Sequence, residues 1–278
     1  MRNAEQPQVD DEAIYTQIAN IRKNNGNREA HNSKGLVFKL YREYFERLDS
    51  EDGPRPHGHS APIQQALESN FTTLGNKPFE AFCTSILKSA GGKCAYCHLI
   101  TAGEIDHFLP KTIFGEYSVL GANLTPICDK CNKRKSTRYS LEGRGRRYVH
   151  PYHDVLPESR FLTATVEVSS GVLVTFSLDV PTSTPERLQA RMQQQFDDLK
   201  LAEKYSDEVV PLLIDHRETL CGEYEEDGAT AVSSWLHKTG SSARSGKGEN
   251  YWWAAALLAL AESDEFCNGG FLLLPKMG

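Results

Sequence analysis

The chain of 278 residues lacks any apolar run of membrane-spanning length, since a transmembrane helix needs about 20 consecutive apolar residues. Its first residues, Met1-Arg-Asn-Ala-Glu-Gln, also lack the apolar segment of a secretory signal. We therefore expect a cytoplasmic protein with no membrane partner. The content of 39% apolar and 24% charged residues is typical of a globular chain.

The sequence also has no overall excess of basic residues. Its 37 acidic side chains outnumber its 31 basic ones and give a net charge of -6. The charges are nevertheless segregated. Residues 130–147 carry eight basic and one acidic side chain, a local charge of 8 minus 1, or +7. Residues 186–227 carry twelve acidic and five basic side chains, or -7. Because the local field decides what is attracted, the first segment could meet phosphates and the second a protein partner or solvent.

Four of the seven cysteines form two CxxC pairs, Cys94 with Cys97 and Cys128 with Cys131. In a reducing compartment such pairs are metal ligands more often than disulfides, and four thiolates can close a tetrahedral zinc site. Thirty residues separate Cys97 from Cys128, whereas a usual zinc ribbon has roughly 15 to 20. The segment between the two CxxC pairs is therefore longer than a zinc ribbon requires.

The hydrophobic pattern predicts helices on both sides of this interval. Apolar residues repeat at helical spacing from Leu36 to Leu48, after a candidate Ser33 cap, and Pro78 suits the first turn of a helix leading to Cys94. Residues 161–168 and 172–178 alternate as a β-hairpin, and residues 251–261 read as a core helix. We divide the chain into a helical region (1–77), a central module (78–150) and a hairpin-plus-helices region (151–278).

The interval and its flanks carry the residues of a recognisable motif: Asp106-His107-Phe-Leu-Pro110, then Asn123-Leu, then Cys131-Asn132-Lys-Arg-Lys135. This pattern resembles the HNH endonucleases of the ββα-metal superfamily, in the subtype stapled by a four-cysteine zinc. The resemblance covers 43 of the 278 residues, from Cys94 to Ser136.

The resemblance implies a role for each matching residue. His107 would be the general base, and Asp106 and Asn132 would hold a catalytic Mg²⁺ or Mn²⁺ through oxygen atoms. Asn123 would complete the catalytic set by holding the hairpin and orienting the histidine. The zinc on the four cysteines would be structural. Lys130 and three residues on exposed turns of the last helix would bind the nucleic-acid backbone: Lys133, Arg134 and Lys135.

One expectation conflicts with strict strand geometry. Alternation puts Asp106 and His107 on opposite faces of a strand. They can serve one phosphate only if the strand ends, twists or bulges there, and Pro110 favours an early end.

The resemblance further implies an α+β fold with a central ββα-metal module. It implies phosphodiester hydrolysis, with DNA as the expected substrate and weak sequence specificity. Nucleases of this kind embedded in helical extensions resemble effectors of bacterial anti-phage systems, including Septu-like pairs in which the nuclease works with an ATPase.

Two other interpretations stay open at this point. A non-catalytic zinc ribbon that binds nucleic acid or protein would explain the cysteines and the basic segment, but not the joint presence of Asp106, His107, Asn123 and Asn132. Thiol redox switching by CxxC pairs without metal is the other. Haem attachment at Cys94-Ala-Tyr-Cys97-His98 is disfavoured, because it needs export and leaves the second CxxC unexplained.

Overall fold

The computed structural model describes residues 3–50, 53–141 and 145–275, which form two compact units. The N-terminal unit comprises Asn3–Val155 together with Ala190–Gln195, and the C-terminal unit comprises residues 156–189 and 196–275. Helices dominate both, and the described residues contain three two-stranded antiparallel sheets. The expected α+β class is confirmed at this level. The three-part division of the chain stays a prediction.

Among the described residues of the N-terminal unit, seven α-helices precede the first sheet: α1 (Asp11–Asn24), α2 (Glu29–Asn32), α3 (Lys34–Arg42), α4 (Tyr44–Leu48), α5 (Ala61–Glu68), α6 (Asn70–Thr73) and α7 (Glu80–Lys88). Helix α1 begins where the Asp10 carboxylate accepts a hydrogen bond from Ala13 N at 2.9 Å, which satisfies an otherwise unpaired backbone donor. Pro78 lies in a 3-10 turn leading into α7, as the sequence predicts.

The helical stretch predicted over residues 36–48 is divided in the structure. Helix α3 ends at Arg42 and α4 begins at Tyr44, so Glu43 separates them. Ser33 precedes α3, but its hydroxyl donates to the Glu29 carbonyl at 2.9 Å rather than capping the helix. The expected side-chain cap is therefore wrong, because the preceding short helix α2 offers that hydroxyl an acceptor one turn back.

The central hairpin consists of β1 (Glu104–His107) and β2 (Leu124–Ile127), paired antiparallel with Asp106 opposite Thr125 and His107 opposite Leu124. Helix α8 (Asp129–Lys135) follows β2 directly. Every residue of β2 is buried, and α7 packs against both strands. A smaller hairpin, β3 (Ser140–Leu141) with β4 (Gly145–Arg146), comes next.

The C-terminal unit contains the third hairpin, β5 (Leu162–Val168) with β6 (Val172–Leu178). Its helices are α9 (Glu186–Asp198, of which residues 190–195 group with the N-terminal unit), α10 (Leu201–Asp215), α11 (Arg217–Lys247), α12 (Trp252–Ala261) and α13 (Asp264–Cys267). Helix α11 is kinked by non-helical backbone at Asp227 and Gly228. The predicted hairpin and core helix are both confirmed.

Close packing around α12 forms the core of this unit. Gly240 of α11 faces α12 so closely that a Cβ atom there would lie 3.1 Å from the Leu257 side chain. The Trp252 ring stacks on Tyr205 at a centroid distance of 5.8 Å. Among the described residues, no helix combines the length and the apolar character needed to cross a bilayer.

Candidate metal centre and active site

The four cysteines of the two CxxC pairs come together at one buried point. Cys94 and Cys97 lie in a turn that follows α7 and the left-handed residues Gly91 and Gly92. Cys128 precedes α8 and Cys131 lies in its first turn. All four sulfur atoms are within 4.8 Å of one another, and all four residues are buried.

The spacing of these sulfurs fits a zinc ion. Zn–S bonds of about 2.3 Å in a tetrahedron separate two sulfurs by about 3.8 Å, and Cys97 Sγ lies 3.9 Å from Cys128 Sγ. Hydrogen bonding, chiefly with Cys128, lowers the pKa of Cys97, and hydrogen bonding, chiefly with Cys131, lowers the pKa of Cys128 to about 7, whereas hydrogen bonding, chiefly with Cys128, raises the pKa values of Cys94 and Cys131. Thiolates are the form that binds metal, and the spacing of the four sulfurs shows that the cluster can hold zinc.

Two polar contacts place α8 across one face of β1. Asn132 Nδ2 donates to Glu104 Oε2 at 2.6 Å, and Lys135 Nζ lies 2.7 Å from Asp106 Oδ2. Glu104 and Asp106 are two residues apart and so share a face of the strand, while Asn132 and Lys135 are three apart on one side of the helix. The structure therefore gathers Asp106 and Asn132, both expected as metal ligands, at the same strand–helix contact.

Lys135 does not lie on an exposed turn, as the sequence led us to expect. Its side chain is 0% exposed, and Nζ also donates to the His107 carbonyl at 2.7 Å. Lys135 can be buried because the ammonium finds compensating partners in these two oxygens, both supplied by β1. Lys135 thus fixes α8 to β1 in this structure.

His107 lies on the other face of β1 and is 4% exposed. Its Nε2 is 2.9 Å from the Ser118 carbonyl, and because a carbonyl only accepts, Nε2 carries the proton and Nδ1 carries the lone pair. No hydrogen bond joins Nδ1 to another described residue. The ring also meets the edge of Phe71 at a centroid distance of 4.4 Å.

The environment of His107 keeps its imidazole neutral. Burial lowers the pKa of His107 to about 4, while the Ser118 carbonyl and the Asp106 carboxylate act in the opposite direction. Asp106 and His107 therefore lie on opposite faces of an unbulged strand but still interact electrostatically. The strand ends at His107, as the sequence suggested.

Asn123 is fully buried, and its amide group uses its full hydrogen-bonding capacity. Oδ1 accepts from Leu109 N at 2.8 Å and from the Tyr44 hydroxyl at 2.9 Å. Nδ2 donates to the carbonyls of Leu109 and Tyr117, both at 3.1 Å. These bonds tie the segment after His107 to the turn before Ser118, so Asn123 positions the surroundings of the histidine rather than facing a ligand.

A second buried histidine extends this network, and sequence reasoning missed its role. Tyr152 N donates to His150 Nδ1 at 3.2 Å, so His150 Nε2 carries the proton and faces the Tyr44 hydroxyl at 3.3 Å. Tyr44 in turn donates to Asn123. The segment His150-Pro-Tyr-His153-Asp154 stands out in the sequence, but the contact between His150 and Tyr44 is visible only in the structure.

The basic segment contributes less surface charge than its composition suggests. Lys130 and Lys133 are exposed and Arg134 is half-buried, although Lys133 Nζ lies 3.7 Å from Asp129. Arg146 is buried and pairs with Asp154 at 2.8 Å and Asp49 at 2.7 Å. Arg144, counted in the segment, lies outside the described residues.

Comparison with known proteins gives two partial similarities. The chain is 25% identical over 219 residues to protein ea31 of Escherichia phage lambda, covering 74% of each chain. A stretch of 85 residues is 31% identical to Septu protein PtuB of Bacillus thuringiensis, covering 29% of this chain and about a third (32%) of PtuB. No family model matches the chain, and no solved structure does.

Replacing one cluster thiol should release the metal and unfold the centre. Cys131→Ser is expected to lose zinc and much of the stability of the N-terminal unit, since a structural zinc contributes on the order of 10 kcal/mol of apparent folding energy. Metal analysis and thermal unfolding measure both effects. Cys221→Ser, a half-buried position on α11, is the matched control and should keep its zinc; equal zinc in both variants would contradict the assignment.

Acid should destabilise the fold through His150. Burial lowers the pKa of His150 well below its ordinary value, so above about pH 6.5 both folded and unfolded forms are neutral. Below that pH only the unfolded chain takes up the proton, and stability falls by up to about 1.4 kcal/mol per pH unit. Denaturant unfolding at several pH values should show a shallower loss for His150→Phe, and no change for His237→Phe at an exposed position. The same pH dependence of the free energy of unfolding in His150→Phe and the wild type would refute this prediction.

Proposed function

We propose that the chain is a metal-dependent HNH-type endonuclease that hydrolyses phosphodiester bonds, with DNA as the preferred substrate. The observation that carries the proposal is the state of His107. Its Nε2 is committed to the Ser118 carbonyl, its Nδ1 is unbonded among the described residues, and burial lowers its pKa to about 4. A neutral imidazole with a fixed tautomer and an unbonded lone pair can act as a general base, and the lowered pKa keeps it neutral while making it a weaker base than an imidazole with a pKa near 7.

In this proposal His107 Nδ1 removes a proton from the attacking water. The Ser118 carbonyl accepts from Nε2 throughout, which keeps the ring in the required tautomer and shares the positive charge that forms. Asn123 holds the backbone on either side of this pair through Leu109 and Tyr117. The chain therefore supplies the base, its orientation and the rigidity of its surroundings.

Asp106 and Asn132 would hold the divalent cation. Their oxygen atoms are the hard donors that Mg²⁺ and Mn²⁺ prefer. Asn132 Nδ2 donates to Glu104, an orientation that leaves Oδ1 of Asn132 without a hydrogen-bond donor among the described residues. When bound, the ion would stabilise charge on the scissile phosphate and on the departing 3′ oxygen.

Three side chains of α8 suit the flanking phosphates of a substrate. Lys130, Lys133 and Arg134 retain solvent exposure on the helix that presents Asn132. Contacts from such cations position a backbone and carry no sequence information. Weak sequence specificity is therefore part of the proposal.

The partial similarity to Septu protein PtuB supports a place in anti-phage defence. We propose that the chain acts there with a protein partner such as an ATPase, as the resemblance of its motif suggests. The acidic residues at the kink of α11 are candidates for the docking surface, because Glu225, Glu226 and Asp227 are exposed. The competing function is a zinc-stapled binding module without catalysis, which the cysteine cluster alone would support equally well.

Cleavage assays on His107→Ala test the catalytic proposal. Double-stranded DNA, single-stranded DNA and RNA are incubated with Mg²⁺ or Mn²⁺ and wild-type or variant protein. Loss of a general base should lower the cleavage rate about 100-fold or more. Zinc content should stay the same, because the four cysteines are untouched.

His237→Ala is the matched control, since His237 is an exposed histidine of α11, and it should cut like the wild type. Cutting by His107→Ala at the wild-type rate would remove the histidine from the mechanism. Binding of nucleic acid without cleavage under either metal would favour the binding module instead.

Charge reversal tests the partner surface. Glu225→Lys, Glu226→Lys and Asp227→Lys, made together, should weaken a complex with a partner ATPase by at least about 10-fold, because like charges across an interface are unfavourable. Size-exclusion chromatography of the two proteins measures the complex. The control variant reverses three other exposed acids, Glu158, Glu167 and Asp179, and should leave the complex intact. If the wild type and both variants form the complex equally well, the acidic residues at the kink of α11 are not the docking surface.

A further inference from the structure

Two histidines in the loop before α5 lie close together beside a buried carboxylate. His57 and His59 flank Gly58, whose φ of 82° is a left-handed conformation, and the two rings are 4.9 Å apart between centroids. The His59 side chain is only 3% exposed, while His57 is exposed. One ring is thus fixed in the interior and the other remains able to turn.

The carboxylate belongs to Glu116, which is 0% exposed in the turn at residues 115–117. Neither of its oxygens makes a hydrogen bond of ordinary geometry, and burial raises the pKa of Glu116, although the backbone N–H groups of Glu116 and His57 act in the opposite direction. Burying such a group without compensation is costly, because the lost hydration is not replaced. The site therefore calls for a cation or donor that satisfies these oxygens.

The geometry of His59 and Glu116 fits two ligands of one metal better than a hydrogen bond. Nε2 of His59 lies 3.3 Å from Oε2 of Glu116, yet neither atom makes a hydrogen bond of ordinary geometry. Two ligands with metal bonds of about 2.1 Å and a tetrahedral angle are about 3.4 Å apart. Burial lowers the pKa of His59, which favours the neutral ring that binds metals over an imidazolium ion paired with the carboxylate.

We propose that His57, His59 and Glu116 bind a divalent transition-metal ion at a site separate from the four cysteines. Two imidazoles and one carboxylate are a donor set for ions such as Zn²⁺, Co²⁺ and Ni²⁺. Among the described residues, only the cysteines are already gathered as a set of three or more ligands. At the new site two ligand atoms are in place, and His57 completes the set by turning about its side-chain bonds.

Such an ion would tie the loop before α5 to the turn that supports His107. Glu116 is two residues from Ser118, whose carbonyl accepts from His107, and the Ser118 hydroxyl donates to Leu67 of α5 at 2.6 Å. Gln64, which lies one turn earlier in α5, also contacts the segment between β1 and β2, since its side chain donates to the Lys111 carbonyl at 3.0 Å. The metal would thus have a structural role, and its existence does not depend on the proposed nuclease activity.

Cobalt binding to the full-length chain that carries one zinc ion per molecule, held by the cysteines, tests this site. The wild type should bind one Co²⁺ per chain without the thiolate-to-cobalt charge-transfer bands that would mark replacement at the cysteines. His59→Ala and Glu116→Gln should weaken this binding by more than the roughly 10-fold typical of losing an outer-shell partner. His57→Ala changes an exposed side chain, so the fold should be retained, and it should weaken the binding as well.

Calorimetry measures the affinity, and zinc content shows that each variant keeps the cysteine centre intact. His237→Ala is the matched control and should bind Co²⁺ like the wild type. The proposal is overturned if the wild type takes up Co²⁺ only on thiolates, or if folded His57→Ala binds Co²⁺ with wild-type affinity.

Discussion

The candidate active site depends on the hydrogen bonds made by the buried amide of Asn123. Its four hydrogen bonds join the segment after β1, the turn before Ser118 and helix α4. A hydrogen bond contributes only about 1 kcal/mol net, but each buried partner left unpaired costs about 1 to 3 kcal/mol. Removing this one side chain would therefore leave several main-chain groups unsatisfied at once, around the carbonyl that orients His107.

The cysteine cluster and Asn123 fix different parts of the short hairpin formed by β1 and β2. The cluster holds the chain just before β1 and just after β2, while Asn123 holds the long connection between the strands. Lys135 adds the third constraint by joining α8 to both Asp106 and the His107 carbonyl. A two-stranded hairpin is marginal on its own, so strands of four residues can present reactive side chains only because these constraints surround them.

The sequence was sufficient where a short spacing decides the structure. The CxxC pairs predict a cluster that the fold gathers, and the alternation over residues 161–178 predicts the third hairpin nearly to the residue. It was insufficient where the partner is distant along the chain. Tyr44 and Asn123 are 79 residues apart, and Lys135 was expected at the surface because seven helical residues cannot show which side will be covered. Burial of His59 against Glu116 is likewise a result of tertiary packing, which no local pattern encodes.

The charge pattern shows why composition overstates the positive charge at the surface of residues 130–147. Of the basic residues between 130 and 147, Lys135 and Arg146 are buried and neutralised by carboxylates. What faces solvent on α8 is a group of three cations, one of them close to Asp129. Three phosphate contacts supply modest affinity that weakens as salt rises. If the proposed nuclease function holds, cleavage depends on the chemistry at His107, and the choice of target depends on a partner or a further surface.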